Sequence, residues 1–255
     1  MFAVFLRYFF VLKKGLHQLC DLFYWPAVDI LLWGLTSVYV QDLNNLPNFP
    51  LILMTALVFW QVVWRGSTDI SVSLLQELWS RNLVNLFSTP LKVSEWIGGM
   101  LLLGLCKLCC TILFGSLFVY VLYSLNVFEV GWLFLPFVAS LLVFGWSVGF
   151  LASGFIIYWG NKLEMLAWMT PYLFAPFSAV FYPVHVLPKW AQIISFCLPT
   201  TYIFEGMRSI LHTGVFPEGY FLMSIALNLL CLTASLYFFH HMFQKSMEKG
   251  LARLE

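Results

Sequence analysis

Two ionisable residues lie inside long apolar stretches of this sequence. Asp29 is in the first such stretch, and Lys107 lies twelve residues after Glu95, roughly 18 Å along a helix. Charged side chains in apolar surroundings are costly unless they meet an opposite charge, a polar group or water. The sequence therefore predicts that Lys107 pairs with Asp29 or lines a polar cavity. The alternative is that the Lys107 amine binds backbone carbonyls.

A second chemical pattern is the sequence GWSVG at 145–149, which matches the motif around the nucleophilic serine of many hydrolases. That motif requires a strand, a sharp turn and a helix, whereas here it lies within a continuous apolar run. Gly145, Gly149 and Ser153 are spaced four residues apart, and such small residues allow two helices to approach closely. We therefore predict helix packing rather than catalysis by Ser147.

The sequence offers no strong signal for a metal or a nucleotide. Cys106, Cys109 and Cys110 are close together, but no second cysteine pair or nearby histidine completes a ligand set. The phosphate-binding pattern G-x-x-x-x-G-K-[ST] is absent, since its nearest fragment, 99–104, is followed by Leu105. We therefore predict no metal site and no bound cofactor in this chain.

The composition indicates a membrane protein. Of the 255 residues, 61% are hydrophobic and only 10% are charged, against roughly 45–50% and about 25% in soluble domains. Such a chain cannot cover its surface with polar groups, and its mean hydropathy is +0.87. This composition excludes a nucleic-acid-binding protein, a disordered chain and a secreted disulfide scaffold.

The apolar segments predict an all-α integral membrane protein with six transmembrane helices. A helix needs about 20 apolar residues to cross roughly 30 Å of hydrocarbon. No segment alternates apolar with polar residues as a membrane β-strand would. The six predicted spans cover 22–40, 49–70, 96–124, 131–160, 164–183 and 218–242.

The N-terminal segment, residues 1–20, differs from a cleavable signal because its basic residues follow its apolar run. We predict an interfacial amphipathic helix on the membrane surface, with a solvated leader as the alternative. Lysine and arginine concentrate in alternate connections, which predicts that both termini are cytoplasmic. The connections predicted to be cytoplasmic are 1–20, 71–95, 160–163 and the C-terminal tail.

The segment 71–90 carries leucines at helical spacing, with Glu77 and Arg81 four residues apart on one face, and it ends at Pro90. We predict a short amphipathic helix on the cytoplasmic surface between spans 2 and 3, where another protein could dock. The alternative is a loop helix that only covers the membrane surface.

The segment 182–219 is apolar for a loop, but four prolines divide it into pieces too short to cross a membrane. Such pieces can enter one leaflet and return if protein or water satisfies their backbone groups. We predict two short re-entrant helices within 188–212, namely 188–198 and 200–212, joined at Pro199. Glu205 and Arg208 are three residues apart and should pair.

Aromatic residues make up 19% of the chain and are frequent along the fifth predicted span. Aromatic faces bind both sugars and lipids, so this span could line a route for either, although core packing is the commoner role. The aromatic residues in question include Trp168, Tyr172, Phe177 and Phe181.

Motifs in the inner and outer segments resemble those of one family. The inner segment carries ELWSRNL at 77–83 and STPL at 88–91, and the outer one carries FYP at 181–183, LPTTY at 198–202 and E-G-x-R at 205–208. With the six-span layout, essentially the whole chain resembles the permease subunit of a type-2 ABC exporter, of the drug and polysaccharide exporter kind. The outer motif is the more specific of the two.

The resemblance implies one transmembrane domain, 1–255, that pairs with a second permease and binds two copies of a separate ATP-binding subunit. The second permease is predicted to be a copy of this chain, with a related chain as the alternative. ATP and Mg would be bound by the partner subunit, so this chain would not itself be an enzyme. The residues implied to contact the ATP-binding subunit are Glu77, Leu78, Arg81, Leu86 and Pro90.

The resemblance also implies that the first, second and fifth helices face the second permease and outline the substrate route. The expected cargo is amphiphilic: a lipid-linked glycan, a lipid or a hydrophobic drug. Candidate residues for the route are Asp29, Lys107, Trp168, Tyr172, Phe177 and Phe181, and those for an outer gate are Pro199, Tyr202, Glu205 and Arg208.

The predicted location is the plasma membrane of a prokaryote, the inner membrane if the cell is Gram-negative, where the chain contacts lipid and no nucleic acid. Two alternatives work without an ATP-binding partner. An intramembrane enzyme would need a serine and a histidine, or two acids, at matching depth, and no such pair is evident in the sequence. A passive channel would need no motor at all.

Overall fold

The computed structural model describes residues 5–10, 16–44, 48–81 and 90–250, and all regular elements in these ranges are helical. This confirms the all-α prediction for that part of the chain. Residues 5–10 are helical. The longer helices are α1 (Leu16–Asn44), α2 (Phe49–Trp79), α3 (Val93–Tyr123), α4 (Phe134–Trp159), α5 (Leu166–Phe174), α6 (Lys189–Phe196), α7 (Pro199–Thr213) and α8 (Glu218–Glu248).

Within the described ranges, five helical segments are long and apolar enough to cross a membrane. They coincide with predicted spans 1 to 4 and 6. The helices α2, α3 and α8 each have 31 residues, more than the roughly 20 that a span requires. The segments are Leu22–Leu43, Phe49–Trp79, Val93–Tyr123, Val127–Leu163 and Glu218–Glu248.

The predicted fifth span, 164–183, is not one long helix. It consists of the nine-residue α5, the 3-10 turn Ala175–Phe177, and a bend in which Ala179 has a φ of 55°. Proline lacks the backbone N–H that a helix requires, and Pro171 and Pro176 both lie in this stretch. The apolar composition therefore predicted a span where the prolines break the helix.

The predicted interfacial helix and coupling helix also have different boundaries from those expected. Within 1–20, residues 5–10 are helical and Leu16 already begins α1, whereas 1–4 and 11–15 lie outside the described residues. The first half of 71–90 is not a separate helix, because α2 continues to Trp79. Residues 82–89 lie outside the described part of the chain.

Two short helices lie close to the bounds predicted for the re-entrant pair. Helix α6 has 8 residues and α7 has 15, and Pro199 begins α7. Proline is suited to the first turn of a helix, where its missing N–H has no partner to lose. Whether these helices enter the membrane remains a prediction.

Helix α2 is the centre of the bundle, since 89% of its most apolar stretch is buried. It packs closely on α4, where Gly145 and Gly149 leave no room for a side chain. A Cβ atom at Gly145 would lie 2.8 Å from the Val63 carbonyl oxygen, and one at Gly149 would lie 2.7 Å from that of Ser67. The hydroxyl of Ser147 donates to the Val143 carbonyl at 2.9 Å. The predicted packing role of this motif is therefore confirmed.

Candidate functional site

At one end of the bundle, the carboxylate of Glu77 is buried beneath the N-terminal segment. The Arg7 Nη2 atom lies 3.0 Å from Glu77 Oε1, and the Tyr8 hydroxyl donates to the same oxygen. The indole nitrogen of Trp96 donates to the Tyr8 oxygen at 3.1 Å. We call these four residues the Glu77 cluster. A buried carboxylate is stable only when it is paired and hydrogen-bonded, so the cluster holds residues 5–10 against α2 and α3.

Burial raises the pKa of the Tyr8 hydroxyl, and the hydrogen bond to Glu77 and its negative charge raise it further. Tyr8 therefore stays protonated at neutral pH and acts as a donor to the carboxylate. The Tyr8 hydroxyl oxygen also accepts from the Trp96 indole N–H, so Tyr8 joins the N-terminal segment to both α2 and α3.

The Glu77 cluster determines which of the residues predicted to contact an ATP-binding subunit are accessible. Glu77 and Leu78, expected at the surface, are each only 1% exposed. Arg81 and Pro90 are exposed as expected, and Leu86 lies outside the described residues. The apolar spacing indicated a helix correctly, but the face that was thought to meet another protein is covered by this chain's own N-terminal segment.

We expect Tyr8→Phe to loosen the N-terminal segment. The change removes the hydroxyl that donates to the Glu77 carboxylate and accepts from the Trp96 indole N–H. Leaving such buried polar groups without a hydrogen-bond partner typically costs about 1–3 kcal/mol of folding free energy. Trypsin should then cleave after Arg7, whose side chain is 44% exposed, roughly tenfold faster. Mass spectrometry of timed digests measures this rate. The matched control is Tyr237→Phe on exposed α8 surface, and equal rates for both variants would contradict the expectation.

Lys107 is paired, but with Asp69 rather than with the predicted Asp29. Its Nζ atom lies 2.9 Å from Asp69 Oδ1, and the two side chains are only 17% and 10% exposed. The Asp69 carboxylate lies against the backbone of α3, where a Cβ at Gly104 would be 3.3 Å from Asp69 Oδ2. The glycine lets α2 and α3 approach, and the ion pair links them inside the bundle.

Asp29 instead accepts a hydrogen bond from Gln61 Nε2 at 3.0 Å. Trp64 lies three residues after Gln61 on the same face of α2, and the rings of Tyr172 and Trp64 have centroids 4.6 Å apart. We call these four residues, from α1, α2 and α5, the Asp29 face. Gln61 and Trp64 were not among the residues predicted for this site, although a glutamine inside an apolar run is itself a signal.

Beside the Asp29 face, α4 and α5 border a cleft of about 800 Å³. Tyr172 belongs to both features. Trp168 lines the same cleft and stacks on Trp79, with ring centroids 6.0 Å apart. An almost wholly apolar cleft of this size can hold hydrocarbon. Its lining comprises Leu151, Phe155, Leu166, Trp168, Met169, Thr170, Tyr172, Leu173 and Phe174.

Phe177 and Phe181 do not continue this lining, because α5 ends at Phe174. Phe181 stacks on Trp33 with centroids 4.9 Å apart, and Phe177 meets the ring of Trp190 at 6.0 Å. Two of the four aromatic residues predicted for the route therefore line the cleft, and the other two lie in aromatic contacts farther along the chain.

The predicted pair of Glu205 and Arg208 is confirmed, with 3.4 Å between Arg208 Nη1 and Glu205 Oε1. The Arg208 Nη2 atom also donates to the Val180 carbonyl at 2.8 Å and to the Ala179 carbonyl. Glu205 Oε1 accepts from the Val184 backbone N–H at 2.8 Å. The pair therefore holds the bend after α5 against α7.

Pro199 and Tyr202, the other residues of the predicted outer gate, connect the short helices to their neighbours. The Pro199 carbonyl accepts from the Ser224 hydroxyl at 3.0 Å, which joins α7 to α8. The Tyr202 hydroxyl donates to the Phe196 carbonyl at 2.9 Å, which joins α7 to α6. All four residues thus stabilise the same end of the bundle.

A comparison with known protein families matches residues 21–212 to the ABC-2 type transporter family. The comparison with curated proteins gave no match. The matched range contains Asp29, Glu77, Lys107 and Arg208, and it covers well over half of the chain. This family is one of transporters, which disfavours the alternative of an intramembrane enzyme. The chain is therefore a multi-pass membrane protein that belongs to the ABC-2 type transporter family, the permease component of an ABC transporter.

Proposed function

We propose that the chain pairs with a second permease, a copy of itself, to export an amphiphile under the control of two ATP-binding subunits. Both termini would be cytoplasmic, in the plasma membrane of a prokaryote. The observation that carries the proposal is the Asp29 face, where α1, α2 and α5 bring a carboxylate, an amide and two aromatic rings beside an apolar cleft.

The two parts of this site suit the two parts of an amphiphile. The Asp29 carboxylate and the Gln61 amide can bind hydroxyl or amine groups, and the cleft can hold an acyl chain or a drug scaffold. Tyr172 belongs to both features, so a single molecule could occupy them together. Lys107 belongs to the ion pair with Asp69, and we place it outside the route.

Helix α2 would transmit movement to this site. It is helical throughout Phe49–Trp79, so Gln61 and Trp79 are roughly 27 Å apart along one helix. A partner subunit that moves the Trp79 end would tilt α2 as a unit and displace Gln61 relative to Asp29. ATP hydrolysis on the partner would supply the energy for this movement.

The docking surface for the ATP-binding subunit would be the exposed end of α2 and the residues that follow it. Trp79, Ser80, Arg81 and Pro90 are exposed there. The contact predicted for Leu86 stays a prediction, because this residue lies outside the described part of the chain. Glu77 would act indirectly, because it fixes the N-terminal segment next to this surface.

The experiment is co-expression and co-purification with candidate P-loop ATPase subunits from the same genome. We expect the tagged permease to retain the ATPase subunit and Arg81→Glu to reduce retention at least tenfold, since the change reverses an exposed charge at the docking surface. Lys189→Glu, an exposed reversal at the start of α6, is the matched control. Equal retention by both variants would contradict the proposed docking surface, and uphill export by the permease alone would contradict the proposed function.

A further inference from the structure

A separate polar cavity of about 250 Å³ lies between α6, α7 and the start of α8. Its lining includes His185, Gln192, Phe196, Tyr202, Glu205 and Tyr220. The far end of α8 packs near the Glu77 cluster, since Phe243 shares an apolar core with Tyr8 and Trp96. The cavity is therefore at the opposite end of the bundle from the proposed ATPase docking surface.

The cavity is close to electrically neutral. Glu205 is the one Asp, Glu, Lys or Arg among its described lining residues. Its charge is offset by Arg208 at 3.4 Å, and its Oε1 atom also accepts from the Val184 N–H. An anion would meet no cation in this lining, and a cation would compete with Arg208. A neutral polar ligand fits this arrangement best.

Several polar atoms in the lining are already used within the protein. The Tyr202 hydroxyl donates to Phe196, and Gln192 Nε2 donates to the Leu187 carbonyl at 2.8 Å. Other lining atoms have no hydrogen-bond partner among the described residues: Gln192 Oε1, Glu205 Oε2, the Tyr220 hydroxyl and the His185 ring. Most of these can accept hydrogen bonds, so they suit a ligand with many hydroxyl donors.

The cavity also has an aromatic corner. The rings of Tyr202 and Tyr220 have centroids 5.9 Å apart and meet at 77°. Aromatic faces provide apolar contact, on which the C–H face of a sugar ring can pack while its hydroxyls reach the acceptors. The volume is below the roughly 300–1,000 Å³ typical of sites for drug-sized ligands.

We infer that this cavity binds one neutral sugar unit. The site goes beyond the proposed function, because it shares no residue with the Asp29 face and needs no ATP-binding subunit to be occupied. The competing ligand class is a quaternary ammonium group, which aromatic cages with a carboxylate also bind. The Glu205–Arg208 pair and the hydrogen-bond acceptors favour the sugar.

Saturation-transfer-difference NMR on the full chain in lipid nanodiscs tests this inference. The probes are methyl β-D-glucopyranoside, methyl β-D-galactopyranoside, the methyl glycoside of N-acetylglucosamine, and choline chloride. We expect transfer to the ring protons of at least one glycoside, reduced fivefold or more by Tyr220→Leu and by Gln192→Leu. The matched control is Tyr237→Leu, a change of an exposed tyrosine on the same helix outside the cavity.

Three results would overturn the inference: no transfer to any glycoside, transfer to choline alone, or transfer that Tyr220→Leu and Gln192→Leu leave unchanged. If Tyr220→Leu fails to fold, Tyr220→Phe carries the same test, because it keeps the ring and removes the hydroxyl. We expect Tyr220→Phe to reduce the transfer by a smaller factor than Tyr220→Leu. Failure of the ATPase co-purification would not affect this measurement, since no ATPase subunit is present.

Discussion

Replacing Gly149 by alanine should destabilise the bundle strongly. The added Cβ would lie 2.7 Å from the Ser67 carbonyl oxygen and 3.1 Å from the Cβ of Ile70. Because the closest atom belongs to the backbone of α2, a side-chain rotation cannot relieve the contact, and the two helices must separate. Overpacking of this kind costs about 1–3 kcal/mol. Gly149→Leu should prevent accumulation of folded protein.

Unfolding of the purified chain in micelles, titrated with SDS, measures the loss of stability. The matched control is Gly219→Ala in the first turn of α8, where an added Cβ meets no atom within 4 Å. Alanine is also the better helix former, by about 1 kcal/mol, so the control should be neutral or stabilising. Equal midpoints for Gly149→Ala and Gly219→Ala would disprove the close packing of α2 on α4.

Lys107→Met should be the most destabilising single change of a charged residue in α3. It leaves the Asp69 carboxylate, 10% exposed, without the amine at 2.9 Å. Removing one member of a buried ion pair costs about 3–5 kcal/mol, whereas replacing both members by apolar residues is often neutral. We therefore expect the double variant Asp69→Leu and Lys107→Met to recover most of the stability.

The same SDS titration across the two single variants and the double variant gives the coupling energy between the two side chains. Lys162→Met, at an exposed position outside the long helices, serves as the control. A double variant no more stable than Lys107→Met, or a single variant as stable as the control, would show that the pair does not hold α2 to α3. Lys107 would then return to the list of route candidates.

The continuity of α2 changes how a motor subunit could act on this protein. A separate coupling helix would need a hinge at its junction with the second span. Helix α2 has no such hinge between Gln61 and Trp79. The Glu77 cluster also fixes the N-terminal segment to the last turns of α2. In the proposed mechanism, movement of the exposed end of α2 would therefore displace Gln61 at the Asp29 face.

Local sequence determined the features that depend on neighbours along the chain. Long apolar runs predicted the membrane class and six spans, and five of these six are helices of spanning length in the described part of the chain. Helices form there because a helix satisfies its own backbone hydrogen bonds. The spacing of Glu205 and Arg208 predicted their pairing within α7, and Pro199 predicted the start of that helix. The small residues spaced four apart predicted close packing at Gly145 and Gly149.

Only the tertiary structure decided which charged group meets which. Lys107 and Asp69 are 38 residues apart, and Tyr8 and Glu77 are 69 apart. Periodicity indicates which face of a helix is apolar, but not which neighbouring helix covers that face or at what height. For this reason the sequence placed Lys107 with Asp29 and left Glu77 at the surface. In the folded chain, α2 packs against α3 and against residues 5–10, so that Asp69 lies beside Lys107 and Glu77 lies beside Arg7. These pairs form because a charge inside the bundle is stable only beside its counter-charge.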